Sequence, residues 1–180
     1  MINIIIEKEI VEGCKQKQQH AQEALYKSCY PAFMKICLRY ADYDDAANIL
    51  HDAFIKILTK IDSYTGEGDI VGWMRRTVVN TCIDFTRTQK RKSDVLMENI
   101  PDVMQEEEEK KFVADEHAIL KLIRELPEKH GLVFNLFVMD EFTHQQIAEK
   151  LKITVASSKW YLFEARKILQ EKVSVLKLND

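Results

Sequence analysis

From Ile70 to Lys92 the chain reads IVGWMRRTVVNTCIDFTRTQKRK, free of proline and with its one glycine near the start. Met74, Val78, Ile83 and Phe85, with Thr81 and Cys82 between them, supply an apolar seam at helical spacing. Arg75, Arg76, Asn80, Asp84 and Arg87 fall largely off that seam, and the stretch runs out into Lys90, Arg91 and Lys92. A helix apolar on one side and basic on the other needs a core for the first and an anion for the second. Phosphates suit the basic side, because a guanidinium grips two oxygens and releases condensed counterions. Trp73 and Asn80 add a ring that can stack on a base and an amide that can bond to its edge. Taken alone, the same stretch also reads as a solvated basic surface helix.

The rest of the chain is of the same helical kind. Only five glycines and three prolines occur in 180 residues, which argues against a turn-rich sheet protein. With 46% apolar and 31% charged residues the composition is that of a soluble globular chain. No apolar stretch approaches a membrane span, and the apolar start from Met1 to Ile6 is too short for a signal peptide, so a cytoplasmic location with no membrane insertion is expected. Cys29, Cys37 and Cys82 sit among apolar residues and read as reduced core fillers. A metal or redox role would rest mainly on Cys14 and His20, which lack paired ligand spacing, so no cofactor or metal is expected.

A net charge of -3 looks wrong for a nucleic-acid binder, but the charges are segregated. Gly72 to Lys92 carries Arg75, Arg76, Arg87, Lys90, Arg91 and Lys92 against Asp84 alone. Ser93 to Glu116 carries Asp94, Glu98, Asp102, the run Glu106 to Glu109, Asp115 and Glu116 against Lys110 and Lys111. Local fields decide what a surface attracts, and here the total hides two opposite poles.

Residues 1–20 read as an N-terminal extension with a short, partly ordered helix. From Ala21 to Tyr40, Leu25, Cys29, Phe33, Ile36, Cys37 and Tyr40 recur at helical spacing. Asp42 or Asp44 can cap a second helix, Asp45 to Ile61, which buries Ala46, Ile49, Leu50, Ala53, Phe54, Ile57, Leu58 and Ile61. Asn48, His51, Asp52 and Lys56 are left on its outer side. Ser63 to Asp69, with Gly66 and Gly68, reads as a loop before the helix of Ile70 to Lys92, and the three helices make one bundle over 21–92. Residues 93–116, acidic and with Pro101, bury too little to offset their ordering entropy and read as a linker or a partly disordered arm.

The remainder, 117–180, is a second helical domain. His117 to Leu126 forms a short helix, and Pro127 opens the next, whose apolar residues are Leu132, Val133, Leu136, Phe137 and Met139. Thr143 and Gln146 form a capping box ahead of Ile147, Ala148 and Leu151, which face inward. Lys152 and Ile153 make a tight turn, and Thr154 caps a last helix with Val155, Leu162, Ala165 and Leu169 inward. Cap, small residue, turn and second cap fall in the register of a helix-turn-helix. An ordinary helical hairpin is the plainer reading of the same residues.

Together the two stretches resemble the extracytoplasmic-function (ECF) group of bacterial RNA polymerase sigma factors. Asp45-Ala46-Ala47-Asn48-Ile49-Leu50-His51-Asp52-Ala53-Phe54-Ile55-Lys56 is similar to the second-region pattern D-A-E-D-I-V-Q-E-x-F-L-K. Trp73-Met74-Arg75-Arg76-Thr77-Val78-Val79-Asn80, followed by Asp84 and Arg87, is similar to W-L-x-R-I-A-R-N-x-x-x-D-x-x-R. The resemblance covers roughly Leu25 to Lys92. In the fourth region Leu126-Pro127, Val133-Phe134, Thr143 to Leu151 and Thr154 to Arg166 occupy the family's places. The third region is absent and the acidic linker stands in its stead, as in the ECF group.

The resemblance implies an all-α protein with a three-helix region 2 bundle and a four-helix region 4. It implies a role in transcription initiation: binding core RNA polymerase, recognising promoter DNA and helping to melt it, with no covalent chemistry. Asn48, His51 and Asp52, with Leu58 nearby, would dock on the polymerase. Trp73, Arg76, Asn80 and Arg87 would grip the opened minus-ten element, with Asn80 and the preceding loop reading a flipped base. The acidic linker would thread the RNA exit path. Ser157, Lys159 and Arg166 would contact the minus-thirty-five element. An anti-sigma factor is a partner that such families often have.

The sequence also departs from the family. Asn48 and His51 replace the usual acid and glutamine, and Val79 a common arginine, which removes a phosphate contact. Lys152 stands where glycine is frequent, Trp160 and Tyr161 where a small residue and an arginine are usual, and Glu164 reverses a common positive charge. A second reading is a helix-turn-helix regulator that binds duplex DNA without polymerase, which leaves the residues of 45–92 and the acidic linker unexplained. An enzyme is a third; His20, His51, His117, His130 and His144 are scattered singly, with no HExxH or P-loop pattern.

Overall fold

The computed structural model describes the backbone of residues 4–96 and 114–177, and the side chains of residues 4–89 and 118–174. The chain divides into two compact units, 1–104 and 105–180. Every regular element among the described residues is helical.

The first unit contains α1 (Lys8–Lys15), α2 (Gln19–Cys37), α3 (Tyr43–Lys60), a 3-10 turn (Ile61–Ser63) and α4 (Ile70–Leu96). Asp42 caps α3, its carboxylate accepting from the Asp45 amide at 3.1 Å, which settles the choice between Asp42 and Asp44. α3 lies against α4 and α2, and α2 against α4. Leu25, Cys29, Phe33, Leu50, Ile57, Met74, Val78, Val79 and Cys82 form their common core. Pro31 lies inside α2, where its exposed ring leaves one backbone acceptor unanswered without ending the helix.

The expected three-helix bundle gains a fourth member. α1 docks on α2 and on the 3-10 turn, with Cys14 buried. Gly13 makes the close approach possible: a Cβ there would stand 2.6 Å from the Ala21 Cβ. Phe85, expected in the seam, is half-buried, while Val79 is buried in its place.

The second unit contains α5 (Ala114–Arg124), α6 (Glu128–Phe134), one wide π turn (Asn135–Met139), α7 (His144–Leu151) and α8 (Val155–Lys177). Leu120, Ile123, Leu126, Leu132, Val133, Leu136, Ile147, Leu162 and Ala165 make its core. α8 lies across α5, α6 and α7, and Lys172 pairs with Glu125. Of the residues expected inward, Val155 is exposed and Leu151 and Leu169 are half-buried. Val155 stands at the first position of α8, and the register into the core begins at Ser158. Met139, named among the apolar residues of the helix that Pro127 opens, is exposed where the wide turn takes the chain out of α-helical phase.

α4 runs four residues past Lys92 and α5 begins at Ala114, so the expected linker 93–116 loses residues at both ends to helix. Its middle, 97–113 with the Glu106 to Glu109 run, lies outside the described residues, as do the side chains of Lys90, Arg91 and Lys92.

Candidate nucleic-acid interface

On α4, Trp73, Arg76, Asn80, Asp84 and Arg87 recur at intervals of three and four and so form one stripe along the helix. Arg76, Asn80 and Asp84 are exposed, Trp73 and Arg87 half-buried, and the opposite side is the core. Arg75 lies half-buried on the flank, outside the stripe. Val79 is wholly buried, so this position faces the interior and contributes nothing to a phosphate-facing surface.

Asp84 organises the cations around it. Its Oδ1 lies 3.9 Å from the Arg87 Nη1 and its Oδ2 4.0 Å from the Lys56 Nζ of α3. Lys56 also donates to the Thr81 hydroxyl at 3.3 Å. These are solvent-screened contacts that orient side chains more than they stabilise the fold. Lys56 joins the basic stripe through a contact across helices, which spacing within one helix cannot display.

The loop before α4 is held by its own hydrogen bonds. The Asp69 carboxylate accepts from the amides of Val71 and Gly72, each at 3.0 Å, and so caps α4. The Tyr64 hydroxyl donates to the Gly68 carbonyl at 2.7 Å, and the Tyr64 ring sits 6.0 Å from the Trp73 ring, centroid to centroid. Gly66 and Gly68 take φ of 85° and 79°, the left-handed region open to glycine. Tyr64 is thus a wall beside Trp73, a role its neighbours in sequence do not suggest.

On α3, Asn48, His51 and Asp52 are exposed in one stripe, with Leu58 half-buried at its end. Ile55 lies among them and is 52% exposed, an apolar centre in a polar patch. Among the described residues no group of three or more His, Cys, Asp or Glu is arranged to hold a metal ion. All four cysteines are free and buried, and burial pushes the Cys29 thiol up to about 11.

In the second unit, α7 and α8 form the expected helix-turn-helix. Thr143 and Gln146 make the reciprocal capping box, with amide-to-side-chain distances of 2.9 and 3.2 Å. The Thr154 hydroxyl accepts from the Ser157 amide at 3.0 Å and shares a 2.8 Å bond with the Ser157 hydroxyl, so Ser157 belongs to the cap of α8. Between the helices Lys152 adopts φ 55° and ψ 47°. That left-handed turn explains the glycine frequent at this position in sequences of the pattern.

Lys159 and Arg166 are exposed on α8. Trp160 and Phe163 stand out beside them at 54% and 65% exposure. Tyr161 instead turns inward, its ring 5.0 Å from His130. His144 Nδ1 bonds the buried Ser158 hydroxyl, and its ring stacks on Phe137 at 4.3 Å. Burial, then the charges of Lys159 and Arg166, hold His144 below the usual histidine range.

The two units correspond to two known sequence families. Residues 25–92 match the family model for Sigma-70 region 2, and residues 116–169 that for Sigma-70, region 4. The ECF RNA polymerase sigma-E factor of Haemophilus influenzae is 24% identical over 98% of this chain and 100% of its own length. The protein of that name from Escherichia coli K12 is 24% identical over 93% of this chain and 94% of its own. Among solved structures, the sigma factor RpoE of Bartonella quintana, bound to the anti-sigma factor NepR, superposes with a TM-score of 0.60. It shares 17% identity, over 85% of this chain and 96% of its own. CnrH, in complex with the cytosolic domain of CnrY, gives a TM-score of 0.53 at 14% identity, over 93% and 96% of the two chains.

Proposed function

The chain belongs to the sigma-70 family as a sigma factor of the ECF group, and on that premise we propose that it directs core RNA polymerase to promoters and helps to open them. Region 2 is assigned to 21–92, following an N-terminal extension 1–20, and region 4 to 117–180, after an acidic linker 93–116. Asn48, His51 and Asp52, with Leu58, dock on the polymerase. Trp73, Arg76, Asn80 and Arg87 engage the opened minus-ten element, where Asn80 bonds the edge of a base turned out of the stack. Ser157, Lys159 and Arg166 meet the minus-thirty-five element in the major groove. The protein acts in the cytoplasm and catalyses no reaction of its own. An anti-sigma factor is a further partner, as for the Bartonella quintana sigma factor named above.

The observation that carries this reading is the stripe on α4. A ring, two guanidinium groups and an amide share one side of a helix whose other side is core. Phosphate contacts position such a helix, and the ring and the amide supply what single-stranded bases require. In region 4, Lys159 and Arg166 offer the corresponding positive face.

Run-off transcription from a promoter library, with core polymerase in the presence and absence of the protein, tests the proposal. Promoter-dependent transcripts that require the protein are expected. Duplex binding by the protein alone, with neither polymerase association nor transcripts, would favour the polymerase-independent regulator.

A further inference from the structure

We propose that α1, which precedes the residues matched to region 2, braces the base-reading loop from outside, with Lys15 as a positioning residue for base selection. The Lys15 Nζ donates to the Tyr64 carbonyl at 3.1 Å across 49 positions of sequence. This inference rests on the reading of 61–73 as the segment that meets an unpaired base.

Two observations make the contact more than a surface coincidence. First, Lys15 is anchored. Cys14 beside it is buried, Gly13 lets α1 approach α2 to a distance no side chain would permit, and α1 also lies against the 3-10 turn of Ile61–Ser63. Second, Tyr64 is where the loop's contacts converge. Its amide donates to the Ile61 carbonyl at 3.0 Å, its hydroxyl to the Gly68 carbonyl at 2.7 Å, and its ring meets Trp73.

The chemistry of the contact suits this task. Gly66 and Gly68 give the loop wide conformational freedom, and ordering it only when a base arrives would cost binding energy. A charge-assisted bond to the Tyr64 carbonyl fixes the peptide plane after Tyr64 and, through it, the ring that walls Trp73. A pocket fixed before binding discriminates among bases more sharply than one that adapts to each. Methionine at position 15 keeps the length of the side chain and removes the donor; arginine restores a donor.

The test uses the full-length chain carrying Lys15→Met or Lys15→Arg. In hydrogen exchange of the free protein, Lys15→Met lowers protection at Tyr64 and the following loop amides, while the amides of α2 to α4 keep theirs. In transcription from a library randomised at the unpaired minus-ten positions, Lys15→Met reduces discrimination at one position by about fivefold, the worth of one hydrogen bond. Discrimination at the other positions and polymerase affinity stay unchanged, and Lys15→Arg restores most of the loss. Unchanged loop protection overturns the brace whether or not the protein proves to initiate transcription. Altered protection with unchanged base preference, or an equal loss for every base, overturns the selection role. Absence of any protein-dependent transcript from the wild type overturns the selection role and the sigma reading together, and leaves the exchange result to decide the brace.

Discussion

The Nδ1 of His144 lies 2.9 Å from the hydroxyl of Ser158, joining the first residue of α7 to the buried side of α8. The bond spans the turn of the helix-turn-helix. Burial first, and Lys159 and Arg166 second, lower the pKa of His144 from 6.5. The unfolded chain therefore takes up this proton at a higher pH than the folded one. The stability that depends on it is complete above 6.5, falls as pH drops through that value, and levels off below the folded pKa. Urea denaturation across a pH series, compared with His144→Asn, should isolate this slope as the difference between the two proteins. Ser158→Ala should cost about 1 kcal/mol at neutral pH.

Arg76 and Arg87 are assigned to phosphate contacts. Replacing each with glutamine should lower the salt dependence of DNA engagement by about one unit of log K against log salt per residue. Titration of the holoenzyme with promoter DNA at several salt concentrations measures it. An unchanged slope would place the two guanidinium groups off the DNA.

Asn80 is assigned to a base rather than to the backbone. Asn80→Ala should reduce initiation from the cognate promoter by about tenfold, for the loss of edge hydrogen bonds worth 1–3 kcal/mol. Polymerase affinity should stay at the wild-type value in the same preparation. Equal loss of both would mean that the residue supports the fold or the polymerase contact instead.

Val79 occupies a position where relatives of the pattern commonly carry arginine, yet here it is wholly buried between α4 and its neighbours. Val79→Arg should destabilise the first unit by about 3–5 kcal/mol, the scale of an uncompensated buried charge. The far-ultraviolet melting curve should show the loss, and DNA affinity measured below the new midpoint should not rise.

Lys152 holds a left-handed conformation that a side chain disfavours. Lys152→Gly should stabilise the second unit by about 0.5–1 kcal/mol, read as a higher denaturation midpoint with an unchanged slope.

Periodicity was enough to place α2, α3, α4, α7 and α8, because each buries one side against neighbours and the spacing of Leu25, Cys29 and Phe33, or of Leu162 and Ala165, records that directly. Caps were legible for the same local reason: Thr143 with Gln146 and Thr154 with Ser157 act within one turn. What escaped the sequence depends on partners far along the chain. α1 shows its docking only through the gap that Gly13 leaves for Ala21. Lys56 reaches Asp84, and Lys15 reaches Tyr64, across helices. Val155, expected inward, is exposed because burial at a helix end depends on what lies beyond it, which no spacing encodes.

The wide turn at Asn135–Met139 bears on how this protein can be recombined with others. Its i→i+5 bonding, where an α-helix bonds i→i+4, takes the end of this helix out of α-helical phase before the chain turns into α7. It closes through the Asp140 amide to the Asn135 carbonyl at 3.0 Å and the Phe142 amide to the Leu136 carbonyl at 2.9 Å. A chimaera that borrows another chain's helix-turn-helix must therefore splice ahead of Asn135. A joint placed after Met139 would join the grafted helices to a wide turn they were not fitted to.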